Sequence, residues 1–462
     1  MNSAQRHRPH AGSRNFVDDS AGTPGLAARR AAARLLAAVI DKKTPLDGLT
    51  DDEHGHPDYR ALDPRDRGLV RAILATGLRF RMTISALIER RLDRPLPANA
   101  TALAHILHVA AAQILFLDIP DSAAVNLAVV HAKADPRTER FSGLVNGVLR
   151  ELARRKERAL PAALAESTDA PAWFVERLEA AYGPDAARAI LAMHRTEAPT
   201  DFTVKSDPER WAEAFGGFVL PTGSIRVPHL DRAVTDLPGF EDGQWWVQDA
   251  AAALPARMLG DVAGKRIADL CAAPGGKTAQ LASAGAKVTA IEASANRLRR
   301  LTSNLFRLGL DAEIVEADLT KFTPPALFDA VLFDAPCSST GTVRRHPDVP
   351  WTKSPEDIAK LAAVQARLLS HAADMVAAGG LLVFSNCSLD PAEGEEVVAA
   401  FLKERTEFLR DPVRPGEIAG ADSFINASGE IRTTPAGFPA DDPSHAGLDG
   451  FFAARFRKIR KV

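Results

Sequence analysis

The sequence predicts a multidomain chain: an all-α bundle in front, a small α+β segment in the middle, and an α/β domain behind with a mostly parallel sheet. Three observations carry this. Apolar residues recur at helical spacing from about Gly25 to Arg158, with scarcely any β-branched alternation. A Pro- and Ala-rich stretch, "ALPAALAESTDAPAW", then breaks the pattern near residues 159 to 172. Beyond "GQWWVQDAAA", short apolar runs alternate with amphipathic helices, the texture of helices packed on both faces of a parallel sheet. The expected parts are a disordered basic arm over 1–24, the bundle over 25–158, the linker and small subdomain over 159–242, and the α/β domain over 243–462.

In the front part the clearest helical segments are "AARRAAARLLAAVI", "ALAHILHVAAAQILFL" and "AVNLAVVHAKA". His105 and His108 fall in the second of these without a third ligand nearby, so both read as structural. The middle part offers a helix pattern, "FVERLEAAYGPDAARAILAMH", and a strand-like piece, "DFTVKS". The back part offers the strands "KRIADLC", "KVTAIEA", "AEIVEAD", "DAVLFDAP" and "LLVFSNC", each an apolar run that ends in a polar or reactive residue. Between the second and third lies a helix from Ser294 to Leu308 that puts Leu298, Leu301, Leu305 and Leu308 on one face. Ligands of such a sheet collect beyond the carboxyl ends of its strands.

Composition narrows the class. The chain has 462 residues, 46% of them hydrophobic, and only three cysteines, too few for a disulfide framework and without CxxC spacing, so reduced thiols and no metal are expected. No signal-like apolar core precedes the bundle and no run nears the ~20 apolar residues of a membrane span, so a cytoplasmic protein without a membrane partner is expected. Residues 1 to 160 carry 25 Lys+Arg against 18 Asp+Glu, a net +7, and the rest carries 32 against 41, a net −9. A basic front on an acidic back suggests a polyanion footprint on the first part, although ordinary helix surface charge fits those counts equally well.

The first strand of the back part runs into "DLCAAPGGKTAQLA", where a strand, a Gly-Gly turn and a helix starting near Lys277 present backbone N–H groups to a polar ligand. A phosphate-cradling GxxxxGK[ST] loop would need Gly at Cys271, and GxGxxG spacing does not follow the strand, so both nucleotide-phosphate patterns fail. Glu292 ends the second strand about 20 residues on, where a carboxylate meets ribose hydroxyls, and Asp318 ends the third, where it can meet an adenine amino group. S-adenosylmethionine fits such a site, since it brings ribose, adenine and a zwitterionic amino acid but no phosphate.

Two of the three cysteines close the last two strands, Cys337 in "DAPCSSTG" and Cys387 in "FSNCSL". Methylating carbon 5 of a pyrimidine requires a thiolate at carbon 6, which turns carbon 5 into an enamine-like nucleophile. A base must later remove the carbon 5 proton, and a carboxyl group facing ring nitrogen 3 supports the developing charge. Asp334, Cys337 and Cys387 supply these groups, and the residues alone do not rank the two thiols.

The segments "DLCAAPGGKT", "DAPCSSTGTVRRHPDVPW", "FSNCSLDPAEGEE" and "DGFFAARFRK" resemble the motifs of bacterial ribosomal RNA 5-methylcytosine methyltransferases of the Sun/RsmB type. The pieces "RDRGLVRAILATGLRF" and "GLVNGVLREL" resemble the NusB-like RNA-binding domain of those enzymes. The resemblance covers nearly the whole chain after the arm and implies a Rossmann-like S-adenosylmethionine-dependent catalytic domain, small-subunit ribosomal RNA as partner, and a monomer. It implies that Cys387 attacks the base and Cys337 assists product release, whereas in DNA cytosine methyltransferases a Pro-Cys pair bears the nucleophile. It places the cofactor at Cys271, Ala272, Ala273, Pro274, Gly275, Gly276 and Lys277, with acidic contacts from Glu292, Asp318 and Asp334.

The chain departs from the family pattern in three places. Asn386 stands where Thr usually precedes the nucleophile, "FTVKSD" replaces an Arg-Val-Asn element, and Ala250 occupies a commonly acidic position. Taken singly, Cys271 reads as a small packing residue, and Lys277 as a helix-start residue that wants an anion nearby. Arg297, Arg299 and Arg300 read as a solvated helix face, while Arg344, Arg345 and His346 are placed to hold RNA phosphates. A methyltransferase acting on transfer RNA or another RNA, and a non-catalytic antitermination-type scaffold, are the alternatives.

Overall fold

The computed structural model describes residues 22–442 and 444–460, so most of the arm expected over 1–24 lies outside the described residues. The chain forms two compact units. One comprises residues up to Ala38, Asp47–Gly77 and Ile84–Ala163; the other comprises Val39–Leu46, Leu78–Thr83 and everything from Leu164 on.

The helices of the front half are α1 (Leu26–Lys42), α2 (Leu46–Leu49), α3 (Pro57–Arg60), α4 (Pro64–Arg79), α5 (Arg81–Glu89), α6 (Thr101–Phe116), α7 (Asp121–Ala134) and α8 (Ser142–Glu166). The segment "ALAHILHVAAAQILFL" becomes α6, which is buried from Leu103 to Leu115 apart from Ala104, as a helix apolar all round must be. Its polar residues are satisfied inside: Arg29 Nε donates to Gln113 Oε1 at 2.9 Å, and Gln113 Nε2 donates back to the Val109 carbonyl at 2.7 Å. His105 and His108 are buried in the same helix, with His108 Nε2 3.4 Å from Ser85 Oγ, in keeping with structural roles. The break read at 159 to 172 starts later than expected. Helix α8 continues through Pro161 to Glu166, because Ala159, Ala162, Ala163 and Ala165 favour helix around the proline and Ala163 is buried.

In the second unit, α9 (Ala172–Tyr182) and α10 (Pro184–His194) precede an antiparallel sheet of β1 (Thr200–Val204), β2 (Phe218–Val219), β3 (Ile225–Val227) and β4 (Trp245–Val247), in the order β2-β3-β1-β4. Its last strand lies past residue 242, where the sequence reading closes this subdomain. Helix α11 (Pro208–Phe215) covers the sheet with Trp211 and Phe215 against Phe202 and Trp245. One pair crosses it: Arg226 clasps Asp201 with both carboxylate oxygens engaged, at 2.8 and 2.7 Å, and neither side chain has any exposure.

The larger sheet follows. After α12 (Leu254–Arg257) come β5 (Arg266–Leu270), α13 (Gly276–Ser283), β6 (Lys287–Glu292), α14 (Ala295–Leu308), β7 (Glu313–Glu316) and β8 (Phe328–Asp334). Then come α15 (Val349–Thr352), α16 (Pro355–Asp374), β9 (Val376–Asn386), α17 (Glu395–Glu404), β10 (Phe408–Arg410), β11 (Ile431–Thr433) and β12 (Phe451–Lys458). The order is β10-β12-β9-β8-β5-β6-β7, with β11 beside β12. The five strands from β9 to β7 run parallel, as expected; β12 enters antiparallel between β9 and β10.

Helix α14 shows why the face pattern works. Ser294 caps it by accepting from the Arg297 N–H, and Gly309 ends it at φ +57, a left-handed conformation that suits glycine. Leu298, Leu301, Leu305 and Leu308 are all buried, each contributing roughly 1.5–3 kcal/mol of transfer free energy.

Candidate active site

The parallel strands end side by side, and the predicted site residues lie on the turns that leave them. After β5 the chain turns through Cys271 at φ +60, a cis Ala273-Pro274 bond and Gly275 at φ +102 before α13 begins. A left-handed non-glycine residue costs roughly 1–2 kcal/mol and persists only where its surroundings impose it. The Cys271 thiol is pushed up to about 12, first by burial and then by the charges of Glu292 and Asp334, which favours the neutral thiol of a packing residue. Arg297 is exposed, as expected of a solvated helix face, yet it also reaches inward: its Nη2 donates to the Ala273 carbonyl at 2.6 Å and its Nη1 lies 3.0 Å from Glu292 Oε2.

Lys277 finds the anion its position asks for. Its Nζ is 2.8 Å from Asp334 Oδ2, at the end of β8, and 5.0 Å from the centre of the Phe451 ring. Asp334 Oδ1 accepts from Ser385 Oγ at 2.9 Å, which ties β8 to β9. Asp318, by contrast, is half exposed and folds back on its own turn, accepting from Thr320 N and Thr320 Oγ1 at 3.0 and 2.7 Å.

These residues have the features an S-adenosylmethionine site needs. The first-turn N–H groups of α13 have no intrahelical acceptor. Glu292, 5% exposed, keeps Oε2 without a hydrogen-bonded donor although Arg297 stands near it. Asp269, fully buried, accepts from Thr278 Oγ1 at 2.6 Å through Oδ2 and leaves Oδ1 without a partner. Burial pushes its carboxyl up to about 7. Such open acceptors match ribose hydroxyls and an ammonium group. Asp269 went unassigned in the sequence because an acid inside a β-strand looks like any polar interruption.

The two remaining thiols meet. Cys337 Sγ and Cys387 Sγ are 3.4 Å apart, both half-buried, with Ser339 Oγ 3.6 Å from Cys387 Sγ. Ser339 is itself left-handed, at φ +60. The pair is electrostatically unequal. The hydrogen bond shared with Cys337, the Ser339 hydroxyl and the Lys277 charge together hold the Cys387 thiol below the ordinary cysteine range, against its burial and the Asp334 charge. That same hydrogen bond, burial, the Cys387 charge and the Glu393 charge hold Cys337 well above it. The surroundings thus favour the charged form at Cys387 over that at Cys337.

The loop after Cys337 corrects one expectation. Arg344 and Arg345 do not reach for phosphates. Arg344 is 2% exposed and donates to the Ala446 and Glu197 carbonyls at 3.1 and 2.8 Å. Arg345 donates to Asp249 Oδ2 at 2.7 Å and pairs with Asp449 at 3.1 Å. The acidic position commonly occupied next to Asp249 is here Ala250, fully buried in an apolar cluster. Behind the second loop, Tyr182 Oη donates to the Leu389 carbonyl at 2.6 Å and Arg177 pairs with Asp390, so α9 braces the segment after Cys387. Among the described residues no group of three or more His, Cys, Asp or Glu is placed to hold a metal ion, and no helix is long and apolar enough to cross a membrane.

Comparison with known proteins agrees with this arrangement. Residues 256–457 match the family described as 16S rRNA methyltransferase RsmB/F, and residues 26–154 match the NusB family. The chain is 32% identical over 421 residues to the probable ribosomal RNA small subunit methyltransferase B of Synechocystis sp., covering 86% of this chain and 92% of that one. It is 33% identical over 458 residues to the ribosomal RNA small subunit methyltransferase B of Pseudomonas syringae pv. tomato, covering 93% and 97%. The crystal structure of PH0851 superposes with a TM-score of 0.70 over 94% of this chain and 99% of that one, at 22% identity, a likeness of fold.

Proposed function

The chain belongs to the 16S rRNA methyltransferase RsmB/F family, and from that membership we propose that it methylates carbon 5 of a cytosine in small-subunit ribosomal RNA through a transient bond from Cys387 to carbon 6. S-adenosylmethionine supplies an electrophilic methyl group when bound. The turn from Cys271 to Lys277, including Ala272, Ala273, Pro274, Gly275 and Gly276, would hold it together with Glu292 and Asp269, and Asp318 lies at the open edge. In this reading the helical domain over 25–158 and the subdomain over 159–242 grip the RNA.

The observation that carries the proposal is the 3.4 Å approach of two electrostatically unequal thiols beside Asp334. A cytosine leaves its stack, at a cost of a few kcal/mol, and enters above them. The Cys387 thiolate adds to carbon 6 while Asp334 supports the ring at nitrogen 3. Once Cys387 is bonded to carbon, its negative charge is gone. The hydrogen bond and the charge of Cys387 that helped hold the proton on Cys337 vanish with it, leaving burial and Glu393, so Cys337 ionises more readily than before. Carbon 5, made nucleophilic by the addition, takes the methyl group and for the moment keeps its proton. Cys337, its own proton released to solvent, then takes the proton from carbon 5, the electron pair restores the ring double bond, and the carbon–sulfur bond at carbon 6 breaks to return the Cys387 thiolate. Asn386 fits this scheme because its amide points away from the thiols: Nδ2 donates to the Glu393 carbonyl at 2.6 Å and Oδ1 accepts from the Ser388 N–H at 2.9 Å.

The test is to incubate Cys337→Ala and Cys387→Ala variants with small-subunit ribosomal RNA and labelled S-adenosylmethionine. Cys337→Ala should accumulate a protein–RNA adduct stable to denaturing electrophoresis, and Cys387→Ala should give neither adduct nor methylated RNA. Adducts from Cys387→Ala would exchange the two roles.

A further inference from the structure

The loops that bear the two thiols rest on one buried carboxylate that the scheme above leaves without a task. Glu393 has no exposure, although it sits in the short turn Pro391–Glu393 within the acidic run "PAEGEE". Its Oε1 accepts from the Ser338 N–H and from Gln365 Nε2, both at 2.9 Å. Its Oε2 accepts from Ser388 Oγ at 2.6 Å and from Ser338 Oγ. Ser338 follows Cys337 and Ser388 follows Cys387, so one side chain holds the residue after each thiol.

The residues before the thiols are tied to the same point. Asn386 donates to the Glu393 backbone carbonyl, and Gln365 Nε2 also donates to the Pro336 carbonyl at 2.9 Å. Both flanks of both cysteines therefore converge on Glu393 and Gln365. The charge is placed unevenly as well. The Glu393 carboxylate acts on Cys337 with no cation to oppose it, while at Cys387 the Asp334 carboxylate is countered by the Lys277 ammonium. An unopposed carboxylate beside one thiol biases the shared proton toward that thiol. Oε1 faces two N–H donors and cannot itself carry a proton.

We propose that Glu393 is a positioning residue that brings the two sulfurs together and fixes Cys337 as the protonated partner and Cys387 as the ionised one. Its consequence for catalysis rests on the reading of Cys387 as the nucleophile; the arrangement of the thiols does not.

The experiment compares full-length wild type with Glu393→Gln, which keeps an acceptor for Ser338 and Gln365 and removes the charge. Limiting iodoacetamide is followed at each thiol by peptide mass spectrometry between pH 6 and 9, with no RNA present. Wild type should label Cys387 over Cys337 by about tenfold or more near pH 7.5, and Glu393→Gln should cut that preference by about fivefold or more. Cofactor affinity by calorimetry should stay within about twofold of wild type, which separates the effect from general damage at the site. Glu393→Gln, if it binds no cofactor, is replaced by Ser338→Ala, whose lost hydroxyl donor should lower the preference by a smaller factor. An unchanged labelling ratio in Glu393→Gln, or no preference in wild type, overturns the proposal. Labelling needs no turnover, so a failed RNA-adduct test would remove the nucleophile reading and leave this one standing.

Discussion

Replacing Lys277 with methionine removes an ammonium while keeping most of the stem that packs on Phe451. The lost contact is the 2.8 Å hydrogen bond to Asp334 Oδ2, after which Asp334 keeps only the donor from Ser385. A hydrogen bond to a charged group is worth about 1.5–3 kcal/mol. The Lys277 side chain is 11% exposed but that of Asp334 is 31% exposed, so water replaces part of the loss and the lower part of that range applies, about 1.5–2 kcal/mol. At about 1.4 kcal/mol per decade this is a roughly 10–30-fold fall in kcat/KM for methyl transfer. Steady-state transfer of labelled methyl groups to small-subunit ribosomal RNA measures it. The same variant should label Cys387 with iodoacetamide more slowly near neutral pH, because one of the groups that favours its thiolate is gone. A kcat/KM within twofold of wild type would refute the reasoning, since the pair would then be ornamental.

Three further outcomes follow from the geometry. Asp201→Ala leaves the guanidinium of Arg226 buried with only the His445 and Gly447 carbonyls as hydrogen-bond acceptors, so urea unfolding should show a loss of about 3 kcal/mol, the low end for a broken buried pair, and a loss under about 1 kcal/mol would contradict it. His131, half-buried and beside Arg30 and Arg34, has its pKa pushed down to about 4, mainly by desolvation and against the pull of Asp135. The unfolded chain binds a proton below about pH 6.5 that the folded one refuses until about 4, so stability should fall with pH across that window by about 2–3 kcal/mol, and His131→Gln should flatten the slope. Gly341→Ala should cut methyl transfer by about a hundredfold while cofactor affinity changes little, because a Cβ there collides with the Gly450 carbonyl and displaces the loop that bonds to the Cys387 backbone; activity within a few-fold of wild type would count against the packing argument.

The parallel strands were legible because each is an apolar run closed by a polar residue, and α14 because its four leucines share a face. Strand β12 was readable only as a motif. It is covered on both faces from Phe451 to Phe456, so it lacks alternation, and Arg455 breaks its apolar run although that side chain is 9% exposed and bonded to the Met258 carbonyl and Glu417. The strands β2, β3 and β4 are two or three residues long, below the reach of any periodicity. In the site, motifs named the cysteines and the cofactor turn. Distant pairings were out of view: Arg345 looked like an RNA contact because Asp249 and Asp449 are each about a hundred positions away, and nothing local tells Glu393 from the other glutamates of its run.

Strand β12 is synthesised long after β9, yet it fills the gap between β9 and β10. A nascent polypeptide thus carries β9, with Phe384 and the segment leading to Cys387, as an open edge until residue 458 has cleared the ribosome. A chain cut short in the loop before Phe451 would keep the thiols and lose the strand that seals them. Interrupted translation should therefore yield sticky fragments destined for chaperones and proteases, and no half-built enzyme able to alkylate RNA indiscriminately.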